Sequence, residues 1–204
     1  GAQVWLADSA TGSARLVSRS ITGTPANGGS QSPMISPDGR FVAFLSAASD
    51  LVAGDVNERT DAFLFDSVTG IVSIVSVGSG GTQVDSDVDS VSVCEGGQRL
   101  VFVTRASNLD PAGSQQGISR VYLRDLSANG LTLLARPTSG GAVRSSSAAA
   151  VVSPDCGSAV YASLSSELGP PDGNGTWDVY REAFDGSPIS LLSRWTGAPP
   201  GRPT

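Results

Sequence analysis

The loop GDVNERTD, residues 54–61, carries oxygen-bearing side chains at a spacing that suits a metal ion. Counted from Asp55, the residues at positions one, three and seven are Asp55, Asn57 and Asp61. Ca²⁺ takes about six to eight oxygen ligands, and an Asp-x-Asn start is how EF-hand-like loops supply the first of them. The main-chain carbonyl of Arg59 at position five would add another. The sequence therefore predicts a structural calcium site in this loop.

A second loop, GPPDGNGTWD, repeats the pattern further along the chain. Its four ligand positions are Asp172, Asn174, Thr176 and Asp178. The intervening loop, PAGSQQGISR, has Ser114, Gln116 and Arg120 at these places, which predicts a guanidinium group instead of a metal ion. The alternative for the two aspartate loops is that Asp and Asn merely form Asx-turns with their own backbone.

Catalytic chemistry finds little support in the residue types. The chain has no histidine, so it cannot by itself build a Ser-His-Asp site or a histidine-ligated zinc site. Glu95, Glu167 and Glu182 lie far apart in the sequence, and nothing pairs them as an acid and a base. Trp5 and Trp177 sit beside strand cores, where packing is a more natural role than stacking on a sugar. We therefore expect a protein that is not an enzyme.

Charge and hydropathy exclude two classes of partner. The 204 residues carry a net charge of −6, and the 13 basic residues are all arginines, scattered singly. Nucleic acid is therefore not an expected partner. No apolar run approaches the roughly 20 residues of a membrane helix, so no membrane span is expected. Arginine without lysine, beside abundant Ala, Gly and Pro, indicates a high-GC bacterial genome.

The elements that position the loops come from an internal repeat of about 58 residues. The repeat is visible in VWLAD, AFLFD, VYLRD and VYREA, which begin at residues 4, 62, 121 and 179. Each unit contains short segments rich in Val, Ile, Leu and Phe, bounded by Gly, Pro, Asn and Asp, which indicates strands joined by tight turns. The sequence predicts an all-β fold of about fourteen strands, in three four-stranded antiparallel sheets and a two-stranded remnant.

The two cysteines depart from the repeat at neighbouring positions. Cys94 aligns with Ser36 and Ser153, whereas Cys156 aligns with Gly39 and Gly97. Departures that fall in the same hairpin of consecutive units suggest that the two side chains meet. A disulfide requires Cα atoms within about 7 Å of each other. The alternative is a pair of small buried thiols.

The third segment of a unit carries a family resemblance. SPDGR followed by FVAFLS, with the hairpin AFLFDSVTG further on, resembles the PD40 or TolB-like β-propeller repeat, which is related to WD40. SPDCG, in the last unit, fits with one departure. The longer string LVAGDVNERTDAFLFDSVTG resembles the bacterial extracytoplasmic variety of this repeat, in which an aspartate-rich loop precedes the third strand.

The resemblance implies where the blades lie, because in this family the innermost strand ends at SPDG. Blades are expected over residues 32–78, 90–137 and 148–194. Residues 4–19 are then the outer hairpin of a preceding blade, and residues 195–204 form a linker-like tail. Propellers have about four to eight blades, so these units predict a partial propeller.

Function follows less directly, because propellers host enzymes, scaffolds and receptors alike. We expect a non-catalytic binding or scaffolding module, secreted or periplasmic, stabilised by calcium, with a protein or glycan ligand. The alternative is an accessory, gating propeller of a larger hydrolase such as a prolyl-oligopeptidase-like peptidase. An exposed propeller edge also predicts self-association, or contact with the remaining blades of a longer chain.

Overall fold

The computed structural model of the chain describes residues 1–78, 80–109, 117–137, 144–169 and 175–193. Within these ranges there are fourteen β-strands and one 3-10 turn, Glu95–Gly97, but no α-helix. The strands form one two-stranded and three four-stranded sheets. The predicted all-β partial propeller is therefore confirmed. None of the described segments is a helix of the length and apolar character needed to cross a membrane.

The four sheets follow one another along the chain, and every sheet is an antiparallel meander. The N-terminal hairpin consists of β1 (Trp5–Ala7) and β2 (Ala14–Leu16). Blade 1 consists of β3 (Ser30–Ile35), β4 (Phe41–Ser46), β5 (Asp61–Asp66) and β6 (Val72–Ile74). Blade 2 consists of β7 (Val88–Val93), β8 (Arg99–Thr104), β9 (Arg120–Asp125) and β10 (Gly130–Leu133). Blade 3 consists of β11 (Ser147–Val152), β12 (Ser158–Ser163), β13 (Asp178–Ala183) and β14 (Ser190–Leu191).

The middle strands of blades 1 and 2 are buried on both faces. In β4, β5, β8 and β9 nearly every residue is buried, and each strand has an unbroken central run of at least three apolar residues. A sheet with one wet face would instead alternate apolar and polar residues. Each of these blades is therefore covered by a neighbouring sheet on either side.

Three apolar clusters join the sheets face to face. The first lies between the N-terminal hairpin and blade 1, the second between blades 1 and 2, and the third between blades 2 and 3. Their aromatic members include the stacked pairs Phe44–Phe63, Phe102–Tyr122 and Tyr161–Tyr180. Because the core lies between blades, the loops at the ends of the strands are brought together at each blade boundary.

The first strands of the three blades lie side by side, β3 next to β7 and β7 next to β11. Each contains a β-bulge near its start. Ser32 and Ala149 adopt φ values of 52° and 50° at these bulges. Bulges tolerate such backbone because the extra residue is left out of the ladder.

Blade 3 exposes a face that blade 2 buries. In register, Val160 and Val179 correspond to Val101 and Val121 of blade 2, which pack against blade 3. Val179 is 38% exposed, whereas Val121 is 0% exposed. Among the described residues no sheet covers this apolar face.

Candidate functional site

A disulfide joins the turn between β7 and β8 to the turn between β11 and β12, pairing Cys94 with Cys156. The two Cα atoms are 5.2 Å apart, although 62 residues separate the cysteines along the chain. Cys156 has φ of 60°, and the glycines at its place in the other blades, Gly39 and Gly97, have φ of 74° and 67°. This left-handed backbone costs a non-glycine residue roughly 1–2 kcal/mol. Cys156 therefore keeps the left-handed turn conformation of the repeat, and in this conformation its side chain forms the disulfide with Cys94.

Other contacts link the same turns from blade to blade. Gly96 donates its N–H to Asp38 Oδ2 at 3.1 Å, which ties blade 2 to blade 1. Glu95 donates its N–H to the carbonyl of Pro154 at 3.0 Å, and Arg99 Nη1 donates to the carbonyl of Cys156 at 3.0 Å. The disulfide thus reinforces a boundary that hydrogen bonds already define.

The GDVNERTD loop lies at the opposite rim, between β4 and β5, and the segment leading into blade 2 holds it in place. Gln83 Oε1 accepts from Val56 N–H at 3.1 Å, and Gln83 Nε2 donates to the carbonyl of Gly54 at 2.9 Å. Asp87 Oδ1 accepts from Thr60 N–H at 2.7 Å. The loop therefore bridges blades 1 and 2.

Asp61, at the start of β5, is fully buried. Its Oδ1 accepts from Ser76 Oγ at 2.6 Å, whereas Oδ2 has no hydrogen-bond partner among the described residues. Burial raises the pKa of Asp61 to about 6, although Ser76 and the nearby amide of Asn57 act in the opposite direction. Burial also raises the pKa of Asp55. The loop thus holds two acidic side chains that the interior disfavours in their charged form.

Asn57 makes the Asx-turn that was the alternative to metal ligation. Its Oδ1 accepts from the N–H of Arg59 at 3.1 Å, and its Nδ2 donates to the carbonyl of Val84 at 3.1 Å. The side chain of Arg59 is exposed. An amide oxygen has two lone pairs, so one Asx-turn bond leaves a second acceptor site.

Arg120 occupies the equivalent position at the start of β9 in blade 2 and is 1% exposed. Its Nη1 approaches the carbonyl oxygens of Ala106 at 3.4 Å and of Ile118 at 3.5 Å. In the repeat these residues correspond to Ala48 and Arg59 of blade 1. A guanidinium group therefore lies among loop carbonyls in blade 2 where blade 1 has a buried carboxylate.

Blade 3 has an aspartate at this position again. Asp178, at the start of β13, is buried, and its Oδ1 accepts from Ser193 Oγ at 2.6 Å, as Asp61 does from Ser76. Thr176 is exposed just before it. The remaining predicted loop positions, Ser114, Gln116, Asp172 and Asn174, lie outside the described residues.

No group of three or more Asp, Glu, Cys or His side chains that is arranged to hold a metal ion occurs in the described part of the chain. A calcium ion in the GDVNERTD loop would therefore depend on a mixed set of ligands. These are the carboxylates of Asp55 and Asp61, the amide of Asn57 and main-chain carbonyls.

Successive four-stranded meanders, packed face to face with their first strands side by side, define a segment of a β-propeller. Its fold is that of TolB-like propellers, as comparison with solved structures shows. Putative TolB from Agrobacterium tumefaciens superposes with a TM-score of 0.55 at 15% identity, over 93% of this chain and 56% of that chain. No protein-family model and no curated protein matches the sequence.

Two further solved structures have the same architecture. An oligogalacturonate lyase in complex with manganese gives a TM-score of 0.56 at 12% identity, over 94% of this chain and 48% of that chain. The β-propeller domain of the Trilobed protease from Pyrococcus furiosus gives 0.53 at 15% identity, over 93% and 48%. The chain thus spans about half the length of these solved chains. At identities this low, the structural similarity establishes the fold only. Function has to be inferred from the residues of the chain itself.

Proposed function

We propose that this chain is a bacterial, secreted or periplasmic propeller module that binds a protein or glycan partner and is stabilised by calcium. The Cys94–Cys156 disulfide supports an extracytoplasmic location, because such bonds persist in oxidising compartments. The fold supports a binding or scaffolding role, since propellers gather loops from several blades at one rim.

The observation that carries the calcium proposal is the exchange of Asp61 for Arg120 at one position of the repeat. In blade 2 a permanent cation lies beside the carbonyls of Ala106 and Ile118. In blade 1 the same position has a carboxylate with an unpartnered buried oxygen and no cation of its own among the described residues. A bound cation would supply in blade 1 what the guanidinium supplies in blade 2.

Calcium suits these ligands better than other common ions. The set proposed for blade 1 is Asp55, Asn57, Asp61 and the carbonyl of Arg59; the set proposed for blade 3 is Asp172, Asn174, Thr176 and Asp178. All of these ligands are oxygens, which hard cations prefer, and Mg²⁺ requires a tighter octahedral shell and dehydrates reluctantly. The ion would fix each loop against its blade and offset the burial of its carboxylates.

Thermal unfolding tests the proposal. At ten times the dissociation constant, one occupied site adds about 1.4 kcal/mol, which raises the Tm of a domain of this size by a few degrees. We expect calcium to raise Tm, magnesium to have a much smaller effect, and a chelator to reverse the rise.

Asp61→Asn supplies the matched control, because it removes the buried charge and keeps the size of the side chain. We expect this variant to be at least as stable as the wild type in chelator, yet less stable than the wild type in calcium. An equal Tm with and without calcium in the wild type would contradict calcium stabilisation.

A second candidate function is that of an accessory propeller within a larger hydrolase. Its support is the likeness to the propeller domain of the Trilobed protease, which is a likeness of fold alone. The complete gene distinguishes the two candidates. A neighbouring α/β-hydrolase segment with a G-x-S-x-G nucleophile turn would favour the second.

A further inference from the structure

A pocket of about 510 Å³ opens between blades 2 and 3 at the rim that also carries the GDVNERTD loop. Its walls include Asp89 near the start of β7, Arg105 just after β8, and Trp177 just before β13. Ser119 and Ser146 add hydroxyl groups to the same walls. The pocket therefore combines a carboxylate, a guanidinium group, an aromatic ring and neutral hydroxyl groups.

Three of these side chains are departures from the repeat. The second residue of the first strand is Asp89 in blade 2 but Gln31 and Ala148 in the other blades. The first residue after the second strand is Arg105 in blade 2, in contrast to Ala47 and Leu164. The last residue before the third strand is Trp177 in blade 3, in contrast to Thr60 and Ser119. Since blades form without these side chains at the same positions, their convergence on one pocket is not required by the fold.

The pocket side chains are available to a ligand. Trp177 is 48% exposed, so it does not fill the packing role that its place beside a strand suggests. Arg105 Nε donates to Ser119 Oγ at 3.2 Å, which orients the guanidinium and leaves its terminal nitrogens without a partner among the described residues. The Asp89 carboxylate has no hydrogen bond or ion pair within the same part of the chain. The hydrogen bond to Ser119 preorganises Arg105, which lowers the cost of ordering this side chain on binding.

We propose that this pocket binds an acidic sugar, the uronic acid unit of an oligosaccharide. This inference rests on the proposed binding function and names its ligand class. Arg105 would pair with the sugar carboxylate, because a guanidinium fork matches a carboxylate in two parallel hydrogen bonds. Asp89 would accept hydrogen bonds from ring hydroxyls, and the apolar C–H face of the ring would stack on the Trp177 indole. Arginine and tryptophan are also the residues most enriched where binding energy concentrates.

Calorimetry with a glucuronic acid disaccharide and a glucose disaccharide of the same linkage tests the inference. We expect the acidic disaccharide to bind at least tenfold more tightly than the neutral one. Arg105→Met should abolish this preference, and Arg105→Lys should restore part of it, because lysine keeps the charge but loses the fork. Trp177→Ala should weaken binding of both sugars at least tenfold. Trp5→Ala is the control, since Trp5 is also exposed but lies outside the pocket.

Three results of the calorimetry would contradict binding of an acidic sugar. No binding of either disaccharide at millimolar concentration would overturn the inference, as would equal affinity for both or an unchanged preference in Arg105→Met. Tighter binding of an acidic peptide in the same pocket would also overturn it. Calcium titration of wild-type and Arg105→Met protein separates this result from the calcium proposal, because Arg105 and Asp89 lie outside both proposed calcium loops.

Discussion

Asp61 is a buried carboxylate of which only one oxygen, Oδ1, is hydrogen-bonded to a described residue. Removing a charged carboxylate from water costs several kcal/mol unless it is paired. Ser76 offsets part of this cost through the 2.6 Å bond to Oδ1, but Oδ2 and the neighbouring Asp55 add to it. This unfavourable burial energy is confined to the loop, and a bound cation of the right size would offset it.

The burial of Asp61 predicts an unusual pH dependence of protein stability when a chelator keeps calcium away. Folded Asp61 keeps its proton up to about pH 6, whereas the unfolded side chain loses it near 3.8. The stability from the protonated form is therefore fully present below pH 3.8 and is lost as the pH rises to 6. We expect the free energy of unfolding, measured by urea titration, to decrease across this window by on the order of 2 kcal/mol more in the wild type than in Asp61→Asn.

The comparison with Asp61→Asn is needed because other carboxylates act in the opposite direction. Arg40 lowers the pKa of Asp66, so that pair loses stability as the pH falls rather than as it rises. Both proteins contain the pair, so the difference between their curves isolates Asp61. Identical curves for the two proteins would show that Asp61 is not held in its protonated form.

At the scale of elements, the disulfide connects two turns of adjacent blades and constrains the unfolded chain. A bridge between residues 62 apart contributes about 4 kcal/mol in the chain-entropy account. We expect the double variant Cys94→Ser and Cys156→Ser to unfold at a lower urea concentration and with a somewhat larger m-value, because the unfolded chain without the bridge is less compact and exposes more surface. Thiol titration of the denatured, unreduced wild type should find no free thiol, and two free thiols in protein purified under oxidising conditions would rule out the bridge.

The strands themselves could be predicted from the repeat, because each unit repeats its apolar segments and its turn residues. The bulges at Ser32 and Ala149 could not, since nothing in the alternation of those segments marks a residue with positive φ. The hydrogen bonds from Gln83 and Asp87 to the GDVNERTD loop could not be predicted either. These residues belong to the next blade, and only the packing of blade on blade brings them to the loop.

The candidate site shows the same division between local and non-local information. Spacing alone was enough to propose Asp55, Asn57 and Asp61 as ligands, because ligand loops are local in sequence, and that proposal stays a prediction. Nothing in the sequence marks Arg105 or Trp177 as a binding residue, and the position of Trp177 beside a strand predicts a packing role that its 48% exposure does not bear out. Their convergence depends on the contact between blades 2 and 3, which a single chain without related sequences does not reveal.

For the molecule as a whole, we expect the apolar face of blade 3 to be a surface for self-association. Val160 and Val179 occupy positions that blade 2 buries against its neighbour. Exposed apolar faces of this kind mark interaction sites. We expect light scattering to show concentration-dependent self-association, and Val179→Asp to weaken it without loss of Tm. Val121→Asp, at the buried equivalent, should instead unfold the protein.

A charge placed on Val68 provides the surface control. Val68 is 74% exposed in the turn between β5 and β6, away from the apolar face of blade 3. If Val68→Asp reduces association as much as Val179→Asp does, the association does not involve the apolar face of blade 3. A wild type that remains monomeric at all concentrations would contradict self-association through this face.

The stoichiometry of calcium binding, measured by isothermal titration calorimetry, tests directly whether the two aspartate loops each bind one ion. Dissociation constants of about 10⁻⁴–10⁻³ M are typical of extracellular modules, so the titration must reach millimolar calcium. We expect two sites in the wild type, one in Asp61→Asn, one in Asp178→Asn, and still two in Arg120→Met, because no calcium site is proposed at the position of Arg120. No calcium binding by the wild type, or an undiminished stoichiometry in Asp61→Asn, would contradict this expectation.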